Sequence, residues 1–185
     1  MPILAPVRDC DGCTLCCKVP NIPELEKPAG TLCRHCIVER GCGIHATRPT
    51  VCREYFCGYI VNKNLGPEWK PSVCNFLITY EAGGTRISIY ADTERPDGWR
   101  REPFLSTFRA WAEVGVRHGG QVVVFTGRQA QVILPDRIVD LGLVAPDDLI
   151  LTKMTRTPQG IRLEPFKAAK DDPRARQFLN NQKPS

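Results

Sequence analysis

The sequence lacks the features that would assign it to a membrane or a secretory class. No uncharged apolar run in its 185 residues approaches the ~20 residues that a membrane-spanning helix requires. The opening, MPILAPVRDC, shows neither the basic start nor the apolar stretch of about 7–15 residues that is typical of a secretory signal. We therefore expect a soluble, cytoplasmic protein with no membrane partner.

A block of basic charge is also missing. The formal net charge is +5, yet residues 1–74 hold 9 Lys and Arg against 7 Asp and Glu, and residues 75–185 hold 16 against 13. Nucleic-acid-binding proteins usually concentrate basic residues on one face or segment. Two centres of four thiolates would each add about −2 to the first half, which would then be acidic overall. We expect no nucleic-acid partner, and the sequence leaves open whether the protein has a protein partner.

Cysteine is absent after residue 74, although the chain holds ten. The ten are Cys10, Cys13, Cys16, Cys17, Cys33, Cys36, Cys42, Cys52, Cys57 and Cys74. In a reducing compartment, clustered cysteines are more often metal ligands than a disulfide framework. The distribution therefore predicts a cysteine-rich, metal-organised module at residues 1–74.

The first cysteine motif is CDGCTLCC at residues 10–17, or C-x2-C-x2-C-C. Two intervening residues let a tight turn point both sulfurs at one centre. Three cysteines at this interval are typical of ferredoxin-type binding, in which another ligand comes from elsewhere in the chain. Cys16 and Cys17 are adjacent, so one can serve this centre and the other a second centre or a neighbouring site.

The second cysteine motif is CRHCIVERGCGIHATRPTVCREYFC at residues 33–57. A further C-x2-C pair here precedes three more thiols. Two such pairs with additional cysteines strongly indicate a metal, whereas either pair alone is weak. The number of thiols allows two four-ligand sites, or one site accompanied by structural or redox thiols, and the spacing does not decide between them.

Together, the motif at residues 10–17 and the block CGIHATRPTVCR at residues 42–53 resemble the CxxCxxCC cysteine-cluster family (YkgJ-like), which is described as zinc- or iron-chelating. The resemblance covers residues 10–57. It implies a metal-binding role for Cys10, Cys13, Cys16, Cys17, Cys36, Cys42, Cys52 and Cys57. Cys33 is an additional cysteine, Cys74 lies outside the motif, and His45 stands where the family commonly has Tyr. The roles of these three residues are left open.

Two arginines, Arg48 and Arg53, bracket the segment that ends at Cys52. Clustered thiolates need compensating charge and hydrogen bonds from their surroundings. We predict that one or both arginines donate to a cysteine sulfur or hold the loop at the cofactor, the alternative being an exposed surface arginine. Cys74 precedes the apolar run NFLITY and is more simply a buried core cysteine.

After residue 74 the pattern predicts an α+β part over residues 75–166, with a small, mainly antiparallel sheet and one principal helix. Hairpins are expected around Gly83-Gly84, Thr126-Gly127 and Pro158-Gln159-Gly160. A helix is expected after Pro103, with one face formed by Phe104, Leu105, Phe108, Trp111, Ala112 and Val116. Residues 167–185 are polar, and we expect a flexible tail there.

The leading hypothesis is a metal-binding protein that holds zinc or an iron–sulfur cluster through its cysteines. One alternative is a redox or group-transfer enzyme that uses a surplus cysteine or the cluster. Another is a zinc module for protein recognition. The sequence does not decide whether the protein is an enzyme.

Overall fold

A computed structural model describes residues 6–81, 85–158 and 160–180 of the protein. Within these residues the chain is a mixed α+β protein with a multi-strand sheet and five α-helices. The helices are α1 (Thr50–Glu54), α2 (Gly58–Val61), α3 (Pro71–Cys74), α4 (Phe104–Arg117) and α5 (Pro173–Asn180). The strands are β1 (Cys36–Ile37), β2 (Gly41–Cys42), β3 (Phe76–Tyr80), β4 (Arg86–Ala91), β5 (Gln121–Thr126), β6 (Gln129–Ile133), β7 (Ile138–Leu143), β8 (Asp148–Thr157) and β9 (Gly160–Ala169).

The main sheet has the strand order β3-β4-β5-β6-β7. Three of its pairings are antiparallel, as the sequence predicts, but β4 and β5 run parallel. A parallel pair needs a crossover connection of a dozen or more residues, usually a helix. The segment between β4 and β5 provides this crossover and contains α4, so the two sequence-predicted hairpins lie side by side in one sheet.

The three predicted hairpins form, with β3 paired to β4, β5 to β6 and β8 to β9. Gly127 has a φ of +57° and Gly160 a φ of +123°, in the left-handed region that glycine adopts readily. Gly83, Gly84 and Gln159, which the sequence assigns to turns, lie outside the described residues.

The predicted apolar face of the principal helix packs against the sheet. Phe104, Phe108 and Ala112 of α4 are buried, and Pro103 occupies the N-cap position. Trp69, from the cysteine-rich part, packs edge-on to Phe104 with the ring centroids 4.7 Å apart. The main core is therefore shared between the two parts that differ in cysteine content.

The end of the chain differs from the expected flexible tail over residues 167–180. Strand β9 continues to Ala169, and α5 packs its fully buried Ala175 against the β8–β9 hairpin. Phe178 of α5 meets Phe166 edge-on at 5.8 Å. The sequence pattern does not predict α5, because the helix is mostly polar and its apolar face consists of few residues.

None of the helices in the described part of the chain is long and apolar enough to cross a membrane.

Candidate metal centre

Four cysteines from two separate segments line one cavity of about 40 Å³. They are Cys10, Cys13, Cys16 and Cys57, and we call them the first cysteine group. The backbone N–H of Cys13 donates to the carbonyl of Cys10 at 3.1 Å, which closes the tight turn expected of a C-x2-C pair. Gly12 in this turn has a φ of +71°, and a Cβ there would lie 2.8 Å from the carbonyl oxygen of Glu39. The turn therefore requires glycine.

Cys57 comes from a different element and completes the wall of the cavity. It is the N-cap residue of α2 and is only 6% exposed. Burial raises the pKa of its thiol, while the backbone N–H groups of Ile60 and Tyr59 lower it in part. The other walls are mostly apolar and include Tyr55 and Leu77. Three cysteines of the local run therefore line this cavity together with one from a distant segment.

Five further cysteines, which we call the second cysteine group, lie beside the first. They are Cys17, Cys33, Cys36, Cys42 and Cys52. The N–H of Cys33 donates to the carbonyl of Cys17 at 2.9 Å, and Cys36 pairs with Cys42 across the β1–β2 ladder. Cys17 and Cys36 each influence the other's pKa, so their thiols lie close together. Cys33, whose role the sequence leaves open, is thus buried within this group.

Three thiols of the second group, those of Cys17, Cys36 and Cys52, have raised pKa values. Burial and then the neighbouring Cys17 raise the pKa of Cys36 to about 11. The same two causes, with Cys42 and Cys33, raise the pKa of Cys52. A hydrogen bond with Cys16, followed by burial, raises the pKa of Cys17. A bound cation would reverse these preferences, because a metal deprotonates the thiols that coordinate it.

Lys27 is a buried cation beside the second group, and the sequence does not indicate this burial. Only 4% of the residue is exposed. Its ammonium donates to the carbonyl oxygens of Lys18 at 2.8 Å, Pro28 at 3.0 Å, and Pro20. Burial lowers its pKa, and the thiols of Cys33, Cys17, Cys52 and Cys16 oppose that shift. The segment at residues 21–30 is therefore more than the polar connection its composition suggests.

Arg48 holds the loop, as one of the two predicted roles requires. Its Nε donates to the carbonyl of Cys52 at 3.2 Å and its Nη1 to the carbonyl of His45 at 2.8 Å. Its charge also lowers the pKa of Cys10, although burial and Cys13 raise that pKa overall. Arg53 is exposed and donates to the hydroxyl of Thr50 at 3.0 Å.

Cys74 belongs to the core and lines neither group. It is fully buried, and its thiol donates to the carbonyls of Trp69 at 3.5 Å and Phe76 at 3.3 Å. Burial raises its pKa to about 12, so the thiol is protonated at neutral pH. His45 is exposed and begins a short 3-10 helix, His45–Thr47.

The cysteine side chains of the two groups match a metal site in donor type and number, but their positions in this structure do not form one. Across residues 6–81, 85–158 and 160–180, no three His, Cys, Asp or Glu side chains converge closely enough to hold an ion. Thiolates suit zinc and iron–sulfur clusters and do not suit magnesium or calcium. Metal binding by this module therefore stays a prediction.

Comparison with protein-family models, curated proteins and solved structures finds no match to this chain, so the resemblance to the CxxCxxCC cysteine-cluster family also stays a prediction.

Proposed function

We propose that this protein binds metal, as zinc or an iron–sulfur cluster, through two neighbouring groups of cysteines. The observation that carries the proposal is the meeting of Cys57 with Cys10, Cys13 and Cys16 around one cavity, across more than forty residues of sequence. Four cysteines from two distant segments around one cavity have a ready explanation if they share a ligand. No catalytic group need be invoked.

The first group has the donors for one tetrahedral ion. Zinc in a structural site takes four ligands, and a set of four thiolates is closed, with no open coordination position. A cavity needs about 10–15 Å³ to hold a water molecule, so about 40 Å³ suits a single ion better than a cube of four irons and four sulfides. We therefore favour a single ion in the first group, with a role in fixing the surrounding loops.

The second group offers five thiols and a buried cation, so its ligand set is larger than one tetrahedral ion needs. Four thiolates on a divalent ion or a [4Fe–4S] core leave a net charge of about −2. Lys27 offsets part of that charge from within the fold. Zinc and an iron–sulfur cluster both remain candidates for this group, and a cluster would add electron transfer or sensing.

The test is the metal and acid-labile sulfide content of protein purified without oxygen. The wild type is compared with Cys57→Ser, which alters the first group, and with Cys74→Ser, a matched change at a core cysteine. We expect Cys57→Ser to lose the ion of the first group, and Cys74→Ser to keep the wild-type content because Ser can donate to the same two carbonyls. Iron with matching sulfide identifies a cluster, and zinc without sulfide identifies zinc sites. A wild type that binds neither metal refutes the proposal, as does a Cys57→Ser variant with unchanged metal content.

A further inference from the structure

A second cavity, of about 320 Å³, lies between the cysteine-rich part and the main sheet. It is eight times the volume of the cavity lined by the first cysteine group. Small-molecule sites commonly have volumes of about 300–1,000 Å³. The second cavity falls at the small end of this range, which corresponds to a ring-sized ligand rather than a dinucleotide.

One wall of this cavity is the carboxyl end of the parallel strand pair. Tyr90 of β4 and Phe125 of β5 are register partners, and their rings stack with centroids 5.2 Å apart and planes 16° apart. In open α/β sheets, ligands commonly bind beyond the carboxyl ends of the parallel strands, and β4–α4–β5 is the one such unit among the described residues of this sheet. The β4–α4–β5 crossover therefore places two aromatic rings where this rule expects a ligand.

The opposite wall comes from the loops that follow Cys17 and precede Cys33. Val19 and Gly30 both line the cavity, and the N–H of Gly30 donates to the carbonyl of Val19 at 3.1 Å. A Cβ on Gly30 would lie 3.4 Å from Thr93 Oγ1, and one on Gly127 would lie 3.6 Å from Thr93 Cγ2. Both glycines have positive φ, so larger side chains at these two points of the wall are disfavoured and the cavity stays open.

The lining is uncharged. None of the described residues that line the cavity is Lys, Arg, Asp or Glu, and hydrogen-bonding side chains come from Asn21, Thr93 and Tyr90. Of the ionic groups adjacent in sequence to lining residues, Lys18 is paired with Asp92 at 2.9 Å and with Glu94 at 2.8 Å, and Arg128 donates to the carbonyl of Val144 at 3.1 Å. A charged ligand would lose hydration here without gaining an opposite charge.

We propose that this cavity is a binding site for a small, uncharged molecule with one planar ring. The ring packs against the edges of Tyr90 and Phe125, and polar atoms on its rim bond to Asn21 and Thr93. The proposal does not depend on metal binding, although the loops that form the outer wall are continuous with the second cysteine group.

Indole is a suitable probe, and indole-3-acetate is its negatively charged counterpart. Binding is measured by NMR, from the amide shifts of Thr93 and Gly127, on wild-type protein at its purified metal content. We expect indole to bind with a Kd of about 1 mM or tighter and the charged analogue to bind at least about tenfold more weakly.

Two variants test the location of the site. Ala29→Leu fills the cavity from the loop side, Phe125→Leu removes one ring, and Val114→Ala on the exposed face of α4 is the control. We expect either cavity variant to weaken indole binding at least about tenfold while its other amide shifts stay native. If one variant fails to fold, the other decides. The proposal is overturned if indole does not bind, if it binds both cavity variants as tightly as the control, or if the charged analogue binds equally well. None of these outcomes bears on metal content.

Discussion

Lys18 joins the cysteine-rich part to the sheet through two carboxylates that differ sharply in burial. Its ammonium lies 2.9 Å from Asp92 and 2.8 Å from Glu94. The side chain of Asp92 is 8% exposed, and that of Glu94 is 75% exposed. Exposed ion pairs contribute about 0–1 kcal/mol, whereas removal of one partner from a buried pair costs about 3–5 kcal/mol. The two substitutions Lys18→Met and Glu94→Gln should therefore differ strongly.

We expect Lys18→Met to lower the free energy of unfolding by about 3 kcal/mol, because the Asp92 carboxylate is left buried without its cation. Glu94→Gln, the matched control on the same lysine, should cost under about 1 kcal/mol. With a urea m-value of about 2 kcal/mol/M, the expected shift in midpoint is about 1.5 M for the first variant and under about 0.5 M for the second. Both measurements are made at equal metal content. Equal, small shifts for the two variants would show that the Lys18–Asp92 pair does not stabilise the contact between the two parts.

Three other substitutions test separate contacts. Gly58→Ala should lower the free energy of unfolding by about 1–3 kcal/mol, because the new Cβ would lie 2.8 Å from the Cβ of Ile78 and force α2 away from β3. An unchanged midpoint of urea unfolding would contradict this packing. Lys27→Met should cost about 3 kcal/mol, since three part-buried carbonyls lose their donor at about 1 kcal/mol each. A loss under about 1 kcal/mol would show that water replaces the ammonium. Asp140→Asn tests acid stability: the N–H of Gly142, with Gln131 and Gln129, holds the pKa of Asp140 below its usual range. Its stabilisation is therefore complete above the unfolded pKa of 3.8 and lost as the pH falls through the folded pKa. The variant should be slightly less stable than wild type at pH 7, with the difference vanishing in acid, and a difference that persists there would contradict the prediction.

The elements that the sequence predicts are those whose apolar period is uninterrupted. The face of α4 and the strands of the three hairpins have such a period, and the structure contains them. Strand β7 was missed because Asp140 and Gly142 interrupt its apolar residues, and Gly142 has a φ of +67° next to a β-bulge. Helix α5 was missed although Asp172 accepts the N–H of Arg174 and Pro173 begins the helix, a start that the residue types indicate.

Features of the candidate site that depend on long-range packing could not be predicted from the sequence. The turn between Cys10 and Cys13 follows from local spacing, as does the proximity of Cys33 and Cys36. The position of Cys57 depends on how α2 packs against β3, through contacts such as that of Gly58 with Ile78. Lys27 owes its burial to three carbonyls from surrounding loops, an environment that no local pattern encodes.

The adjacency of Cys16 and Cys17 has a thermodynamic consequence. Cys16 belongs to the first group and Cys17 to the second. Because the two residues are consecutive, their Cα atoms are only about 3.8 Å apart. An ion in either group would fix the backbone that carries the ligand of the other and remove part of its ordering entropy. Loading of the two groups would then be cooperative, and by linkage each ion would raise the affinity for the other by the same factor.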